Sequence, residues 1–355
     1  MKRLAIVMGA ILGLSLFGCD KLTGSNKAEP ARIFVFMTDY QSAALGTYAV
    51  GDSAVTDLSL PALHTDVALR SYENRLYVVE RFGKDAVIVF DPDKPDVPLA
   101  NYSVGNGTNP QDFVVTGKHK AYVIRLQSAN VLIVDPATGD SLGRVDLSPY
   151  ADADGRPEAA AATFVDGTLY VALQVLDTNS MFWDPTGPGK VVAINASTNQ
   201  VTDVFTLTVW NPGSIIATSG LLFVAGGPYG DLSKTGIDRV NITTKQVTRI
   251  TEGTALGGRP NSLVLVPHEL ELWTSVSQTW PNGKVLRVSL SGTIAHMLDE
   301  PVSPAGIACG GDSLLVVCDR NMNAPGVFVY NAKTGAKIAG PIATSLPPDA
   351  VAFVE

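Results

Sequence analysis

Short apolar segments recur along the chain at nearly regular intervals. Most are rich in β-branched side chains, as in Tyr77-Val78-Val79-Glu80, which predicts buried β-strands. The repeat begins near residue 32 and runs to the end of the chain, so it predicts several copies of one structural unit. Seven segments centre on an aromatic or large aliphatic residue, at spacings of 42 to 53 residues: Phe34, Tyr77, Tyr122, Tyr170, Phe223, Trp273 and Leu315.

Each copy contains the same order of local signals. A proline opens the first strand, as in Pro110-Gln111-Asp112-Phe113, and a turn then leads to the aromatic second strand. The third strand ends in Asp or Asn and a turn, as in Asp135-Pro136-Ala137-Thr138-Gly139, where the Asp side chain caps the turn and glycine supplies a positive φ. A more polar fourth strand, such as Ser141 to Leu147, completes the copy.

Four short antiparallel strands in about 46 residues, repeated without a helical period, are typical of propeller blades. We therefore predict an all-β fold for residues 32–355: a seven-bladed β-propeller of four-stranded antiparallel blades. The first copy lacks its opening strand, whereas Pro348 to Glu355 is an opening strand without a blade. Pairing of this C-terminal strand with Arg32 to Thr38 would close the ring and cover two strand edges.

The strand cores Tyr122-Val123-Ile124-Arg125 and Tyr170-Val171-Ala172-Leu173, with the recurring prolines and turns, resemble the YVTN-type β-propeller repeat proteins. These proteins are related to the quinoprotein amine dehydrogenase-like propellers. The resemblance covers residues 32–355 and implies the fold rather than a function, because one fold carries many functions. The alternative is an eight-bladed ring like that of outer-membrane assembly lipoproteins. Those carry a tryptophan after each Thr-Gly turn, where this chain has Asp140 and Ala336.

The start of the chain has the pattern of an export signal. Lys2 and Arg3 precede an apolar stretch from Leu4 to Phe17. At about 1.5 Å per residue this stretch reaches about 21 Å as a helix, which is short of a bilayer core of roughly 30 Å. Leu16-Phe17-Gly18-Cys19 then resembles the lipobox of bacterial lipoproteins, although Phe17 is larger than usual at its position. An ordinary secretory signal with an unrelated cysteine is the alternative.

We therefore predict a lipoprotein signal peptide over residues 1–18 and a lipid on Cys19, which acts as the membrane anchor. Residues 19–31 contain one large apolar side chain and several turn formers, so they predict a flexible tether. The predicted location is the cell envelope, with the propeller facing the periplasm or the cell exterior. Asp20 favours the inner over the outer membrane.

The charge of the chain excludes one class of partner. The formal net charge is -8, and removing Lys2 and Arg3 with the signal makes it -10. A surface of this sign does not attract nucleic acid or anionic lipid.

After Cys19, only Cys309 and Cys318 remain. A hairpin turn at residues 310–313 would put Cys309 opposite Leu314 and separate the two cysteines by roughly 13 Å, which is too far for a disulfide. We therefore predict two buried thiols, with a bridge as the alternative if the register differs.

The loops that enter each first strand and the loops that join second to third strands share one face of a propeller, where ligands usually bind. Aromatic and charged residues are frequent in these loops, which predicts a recognition surface. The longest such loop, Asp177 to Gly189, is the first candidate for partner contact. Solvated loop ends or local packing are the alternatives for single members. The candidate binding residues are Tyr40, Glu80, Arg81, Phe82, Arg125, Gln174, Phe182, Trp183, Tyr229, Gln278, Trp280, Asp319 and Arg320. Further polar candidates are Asp39 at the end of a second strand and, near the openings of first strands, Asp66, Asp112, Glu158, Asn211, Asn261 and Asp349.

Residues typical of catalytic or cofactor sites are scarce. Of four histidines, only His64 falls near the predicted binding face, which argues against a multi-histidine copper or haem centre. No haem-attachment, phosphate-loop or zinc-helix motif occurs. Asp152-Ala153-Asp154-Gly155 is a fragment of a calcium loop without the later ligands, so a polar turn is the better interpretation. The sequence predicts no cofactor.

Two functional hypotheses follow. The preferred one is a non-catalytic binding or scaffolding protein for an envelope protein or polymer. The alternative is a metal-dependent propeller hydrolase or lactonase, or a quinoprotein-like enzyme. For the metal site the nominal ligands would be Glu80, Asn211, Asn261 and Asp319, although nothing in their spacing selects them.

Overall fold

A computed structural model describes residues 32–218, 220–266, 269–279, 281–311 and 313–354. They form a ring of seven four-stranded antiparallel sheets, which confirms the predicted seven-bladed β-propeller. Among these residues, no helix is long and apolar enough to cross a membrane. The predicted signal peptide, Cys19 and the tether up to residue 31 lie outside the described residues.

The strands of each blade are counted from the axis of the ring outward. Blade 1 contains Pro348–Val354, Arg32–Thr38, Ala43–Tyr48 and Thr56–Asp57; blade 2 contains Val67–Ser71, Leu76–Glu80, Ala86–Phe90 and Pro98–Ser103. Blade 3 contains Pro110–Gly117, Lys120–Arg125, Asn130–Val134 and Ser141–Asp146; blade 4 contains Ala159–Val165, Thr168–Leu173, Pro188–Asn195 and Gln200–Trp210. Blade 5 contains Pro212–Thr218, Leu221–Gly226, Gly236–Asn241 and Val247–Glu252; blade 6 contains Arg259–Leu265, Glu271–Ser277, Gly283–Ser289 and Ile294–Met297. Blade 7 contains Pro304–Gly310, Leu314–Asp319, Gly326–Asn331 and Lys337–Ile342.

Within the described ranges, helical structure is confined to three single turns between strands. Two are 3-10 turns, Ser148–Tyr150 and Leu232–Lys234, and one is the α-helical turn Gly253–Leu256. In the longest predicted loop, Leu176–Asp177 and Asp184–Pro185 pair as a small hairpin on blade 4. These short elements lie in loops between the blade strands, and every blade keeps its four strands.

The core lies between the blades. The described residues contain seven buried apolar clusters, and each is shared by two neighbouring blades. Second strands such as Lys120–Arg125 are almost wholly buried, whereas the fourth strand Ile294–Met297 is exposed throughout. The Nε1 group of the fully buried Trp273 on blade 6 donates to the carbonyl of Ala332 beside blade 7, at 2.8 Å. Each sheet therefore needs both neighbours to bury its two faces.

The C-terminal strand closes the ring. Pro348–Val354 pairs antiparallel with Arg32–Thr38, with Val351 opposite Val35 and Val354 opposite Arg32. The predicted pairing of the C-terminal strand with Arg32–Thr38 is thus confirmed. The seven predicted strand centres all lie in second strands and are buried, and Pro110, Pro212, Pro304 and Pro348 each open an inner strand.

The cysteine prediction is confirmed in its main point and wrong in one detail. Cys309 and Cys318 are both free thiols, and burial raises the pKa of Cys309 to about 12. Cys309, however, is only half-buried and lies opposite Leu315 rather than Leu314, because Gly310 is still part of the strand and pairs with Leu314. The turn is therefore one residue shorter on that side than predicted.

Phe353 provides a test of the closing strand. Its ring packs over Gly310 of blade 7 so closely that a Cβ there would lie 2.4 Å from Phe353 Cγ. Phe353→Ala should destabilise the fold by about 3–5 kcal/mol, because it removes a large buried side chain from the cluster between blades 7 and 1. Urea unfolding followed by circular dichroism measures this loss. The exposed Leu270→Ala is the matched control and should change stability by less than about 0.5 kcal/mol; equal effects would contradict the closure.

Candidate functional site

A funnel opens on the face predicted to bind ligands. Its volume is about 1030 Å3, and its walls come from the inner strands and loops of blades 1, 2, 5, 6 and 7. The same backbone bond shapes this face in several blades: the residue after the second strand donates to the residue before the first, as Arg81 does to Asp66 at 3.0 Å and Arg320 to Ser303 at 2.9 Å. The loops are thus held in place by main-chain bonds, and their side chains are free to define the funnel.

One wall of the funnel is built at the seam where the ring closes. Arg320 of blade 7 donates through Nη1 to Asp349 on the closing strand, at 2.8 Å, and through Nη2 to the carbonyl of Thr38, at 3.0 Å. Its guanidinium also lies 4.6 Å from the centre of the Tyr40 ring. At the seam, Arg320 therefore stacks on Tyr40 and is bound by the carboxylate of Asp349.

Tyr40 is held in an unusual conformation. Its φ is +67°, in the left-handed region that non-glycine residues rarely adopt. Thr38 Oγ1 accepts from the Tyr40 amide at 2.9 Å, and Asp39 accepts from the amides of Gln41 and Ser42. These amide bonds lower the pKa of Asp39. Strain of this kind persists only where the surroundings enforce it, so Tyr40 is a preorganised aromatic group at the funnel mouth.

Two further ion pairs line the funnel. Arg81 pairs with Asp66 and also donates to Gln111 Oε1 at 3.2 Å. Deeper in the funnel, Arg70 Nε donates to Asp112 at 2.5 Å, and this carboxylate raises the pKa of the Arg70 guanidinium. The Arg70 side chain remains 45% exposed, whereas Asp112 is fully buried. Together with Arg320 and Asp349, the funnel therefore carries three arginine–aspartate pairs and is close to charge balance.

The mouth of the funnel is surrounded by exposed apolar side chains. Six of them lie on loops that join second to third strands and are 61 to 88% exposed: Tyr40, Phe82, Met181, Phe182, Tyr229 and Met322. We call this set the crown. It occupies blades 1, 2, 4, 5 and 7, so apolar groups ring most of the mouth.

The structure brings only some of the predicted residues together. Tyr40, Arg81, Tyr229, Gln278 and Arg320 line the funnel. Phe82, Gln174, Phe182 and Trp183 are on the same face of the ring but outside the funnel lining, and Trp280 lies outside the described residues. Their contribution to binding stays a prediction.

Three predicted residues at the ends of second strands are buried beneath the loops instead. Glu80 Oε1 accepts from the His64 amide at 2.8 Å, and Asp319 Oδ1 accepts from the Ser303 amide at 2.8 Å. Arg125 donates to the carbonyl of Val104 at 3.1 Å. Burial raises the pKa of Asp319. Each of these buried side chains forms a hydrogen bond that holds a loop against its blade. They stabilise the binding face without being exposed on it, and we call them latches.

The nominal metal ligands do not converge. Glu80 and Asp319 are latches on different blades, and Asn261 Nδ2 donates to Ser277 Oγ at 2.6 Å. In the part of the chain that the structure describes, no group of three or more His, Cys, Asp or Glu side chains is arranged to hold a metal ion.

Sequence reasoning missed Arg70 and Met322. Arg70 follows three apolar residues in the inner strand Val67–Ser71, and a charge in that place is a usable signal. Met322 carries no such signal, and neither does Asn282, which also lines the funnel. Only the closed ring shows that their loops face the axis.

Solved structures resemble this fold at low sequence identity. A protein from Bacteroides fragilis described as a 6-phosphogluconolactonase has a TM-score of 0.66 and 14% identity, covering 93% of this chain and 99% of that one. A protein from Lactobacillus plantarum has a TM-score of 0.66 and 16% identity, covering 92% and 100%. A chain of the mitotic checkpoint complex has a TM-score of 0.57 and 14% identity, covering 88% and 96%. No protein-family model and no curated protein matches the sequence. At these identities the likeness shows the fold alone.

Glu158 ties the long loop of blade 4 to the binding face. Its side chain is fully buried, Oε2 accepts from the Leu176 amide at 2.8 Å, and Oε1 has no partner. Burial, opposed in part by the Leu176 amide, raises the pKa of Glu158 to about 8. The carboxyl is therefore largely protonated at neutral pH in the folded protein.

The raised pKa of Glu158 predicts a pH-dependent stability. The unfolded chain ionises this group near pH 4.5 and the folded protein only near pH 8, so the free energy of unfolding decreases between these values and then levels off. Glu158→Gln should abolish this decrease and exceed the native protein in stability by roughly 1–4 kcal/mol at pH 8.5, with little difference at pH 4. Urea titrations at both pH values measure it. The exposed Glu269→Gln is the control, and identical pH profiles for both variants would contradict the assignment.

Proposed function

We propose that this protein is a lipid-anchored extracytoplasmic β-propeller, a YVTN-type repeat lipoprotein, that binds a protein partner through the funnel and crown and catalyses no reaction. The observation that carries the proposal is the crown: six exposed aromatic or methionine side chains around a charge-balanced funnel. The membrane attachment rests on the predicted lipid at Cys19.

The composition of this face supports a protein partner. Aromatic residues, methionine and arginine are enriched in the buried centres of protein interfaces, whereas lysine and glutamate are depleted. The crown and the funnel arginines match this composition. A cluster of exposed rings is costly for a monomer but useful to a binding protein, because rings supply contact area at a low entropy cost.

The route of the chain is compatible with this role. The second strand of blade 1 runs from Arg32 on the opposite face to Thr38 on the funnel face. Arg32, the first described residue, therefore lies on the face opposite to the funnel.

A second candidate function is hydrolysis of a sugar lactone. It is favoured by the likeness to the Bacteroides fragilis protein described as a 6-phosphogluconolactonase and by the partly exposed arginine Arg70 inside the funnel, which could bind a phosphate or a developing oxyanion. Incubation of the purified propeller with 6-phosphogluconolactone, followed by titration of the released acid, tests it. Hydrolysis that is lost in Arg70→Gln would replace the binding proposal.

The crown predicts which positions touch the partner. A photo-crosslinking amino acid placed at Phe182 or Phe82 of the full lipoprotein in its host cells should give one adduct of the same added mass. The same group at Leu270, which is 75% exposed on the opposite face, is the control and should give none. Tyr40→Ala combined with Met322→Ala should reduce the adduct at least tenfold, because it removes two contact side chains. Equal adducts from Phe182 and Leu270, or none from the crown, would contradict the proposal.

A further inference from the structure

Arg259 differs from the arginines of the three funnel pairs. Arg70, Arg81 and Arg320 each bind an aspartate. Arg259, at the start of the inner strand of blade 6, is partly buried, and its Nε is fully buried without a hydrogen-bond partner. No hydrogen bond or ion pair of the Arg259 side chain occurs within the described residues. A buried guanidinium nitrogen without an acceptor is unfavourable, so the position of this side chain needs an explanation.

The guanidinium of Arg259 lies beside the funnel mouth. Its Cζ is 4.8 Å from the centre of the Tyr229 ring, and Tyr229 lines the funnel and is 85% exposed. On the blade 5 side, Nη2 lies 3.8 Å from the point that a Cβ on Gly213 would occupy. The guanidinium thus lies between the Tyr229 ring and Gly213, and its N–H groups have no acceptor within the described residues.

A neighbouring lysine adds to the positive character of this place. Lys284 Nζ lies 2.8 Å from the point that a Cβ on Gly257 would occupy, and Gly257 precedes Arg259 by two residues. Within the described chain, Lys284 also pairs with no carboxylate.

We propose that Arg259, stacked on Tyr229, binds an oxyanion of the ligand, either a carboxylate or a phosphate, at the blade 5 and blade 6 side of the funnel mouth. A planar guanidinium can donate two parallel bonds to such groups. Nη1 and Nη2 of Arg259, which have no acceptor within the described residues and are not fully buried, would make these bonds, whereas the buried Nε would not. The inference rests on the proposed function, because it names the chemical group that the bound partner brings to the mouth.

The net charge of the protein makes this place distinctive. The propeller is acidic overall, and the other funnel arginines are neutralised by Asp66, Asp112 and Asp349. General electrostatic attraction therefore does not bring anions to the funnel, and binding would depend on the local cations. The affinity should fall as ionic strength rises, because part of the site is open to solvent.

The test uses two anionic probes and the purified propeller. Fluorescein-labelled hexaglutamate is titrated by fluorescence anisotropy and inorganic pyrophosphate by calorimetry, which distinguishes a carboxylate from a phosphate as the preferred group. At least one probe should bind the native protein, and Arg259→Gln should weaken that binding at least tenfold. Arg259→Lys should give an intermediate loss, since it keeps the charge but not the paired donors. The control Arg144→Gln, on the exposed fourth strand of blade 3, should bind as the native protein does.

Thermal unfolding separates a ligand-binding role from a structural one. Because Arg259 has no internal acceptor, Arg259→Gln should unfold at the native temperature or above it. Absence of binding by both probes, unchanged binding in Arg259→Gln, or a melting temperature several degrees lower in that variant would overturn the inference. The outcome is independent of the crosslinking experiment, which tests the crown and contains no change at Arg259.

Discussion

The pairing of Pro348–Val354 with Arg32–Thr38 holds the ring of blades closed. Each blade buries its two faces only against two neighbours, and the seven apolar clusters of the described chain are complete only in a closed ring. Closure joins the first and last strands of the ring, so the last strand stabilises the first blade across more than 300 residues of sequence. The same event removes two exposed strand edges that would otherwise be open to pairing with other chains.

Closure also builds part of the binding face. Asp349 comes from the closing strand, Arg320 from blade 7 and Tyr40 from blade 1, and the three meet only when the ring is complete. The strained backbone of Tyr40 is held by bonds from Thr38, whose carbonyl is in turn bound by Arg320. Folding and recognition are thus linked at the seam, because the arrangement that fixes the last strand also orients a ring of the crown.

The fold was predictable from the sequence because its signals are repeated seven times. A strand centre such as Tyr122, a proline such as Pro110 and a turn such as residues 135–139 each carry modest information, but their fixed order does not arise by chance. The unmatched strand at the C-terminus then predicts the closure. Only local detail was wrong, as at Cys309, where a turn with two glycines allows more than one register.

The candidate site was predictable only in part, for a reason that lies in strand geometry. Successive side chains of a strand point to opposite sides, so Glu80 and Asp319 are buried latches whereas the next residues, Arg81 and Arg320, reach the funnel. Sequence identifies such pairs but not which member faces the axis. It also could not show that Arg259 lacks a partner, because that depends on side chains from another blade.

The ring is closed by its last strand, and the funnel depends on that closed state. Hydrogen–deuterium exchange of the backbone amides of residues 348–354 and 32–38 measures the closure. Both segments should exchange as slowly as the buried second strand of blade 3, Lys120–Arg125, and through the same global unfolding. Fast exchange of residues 348–354, with the other blades still protected, would show that the ring is open.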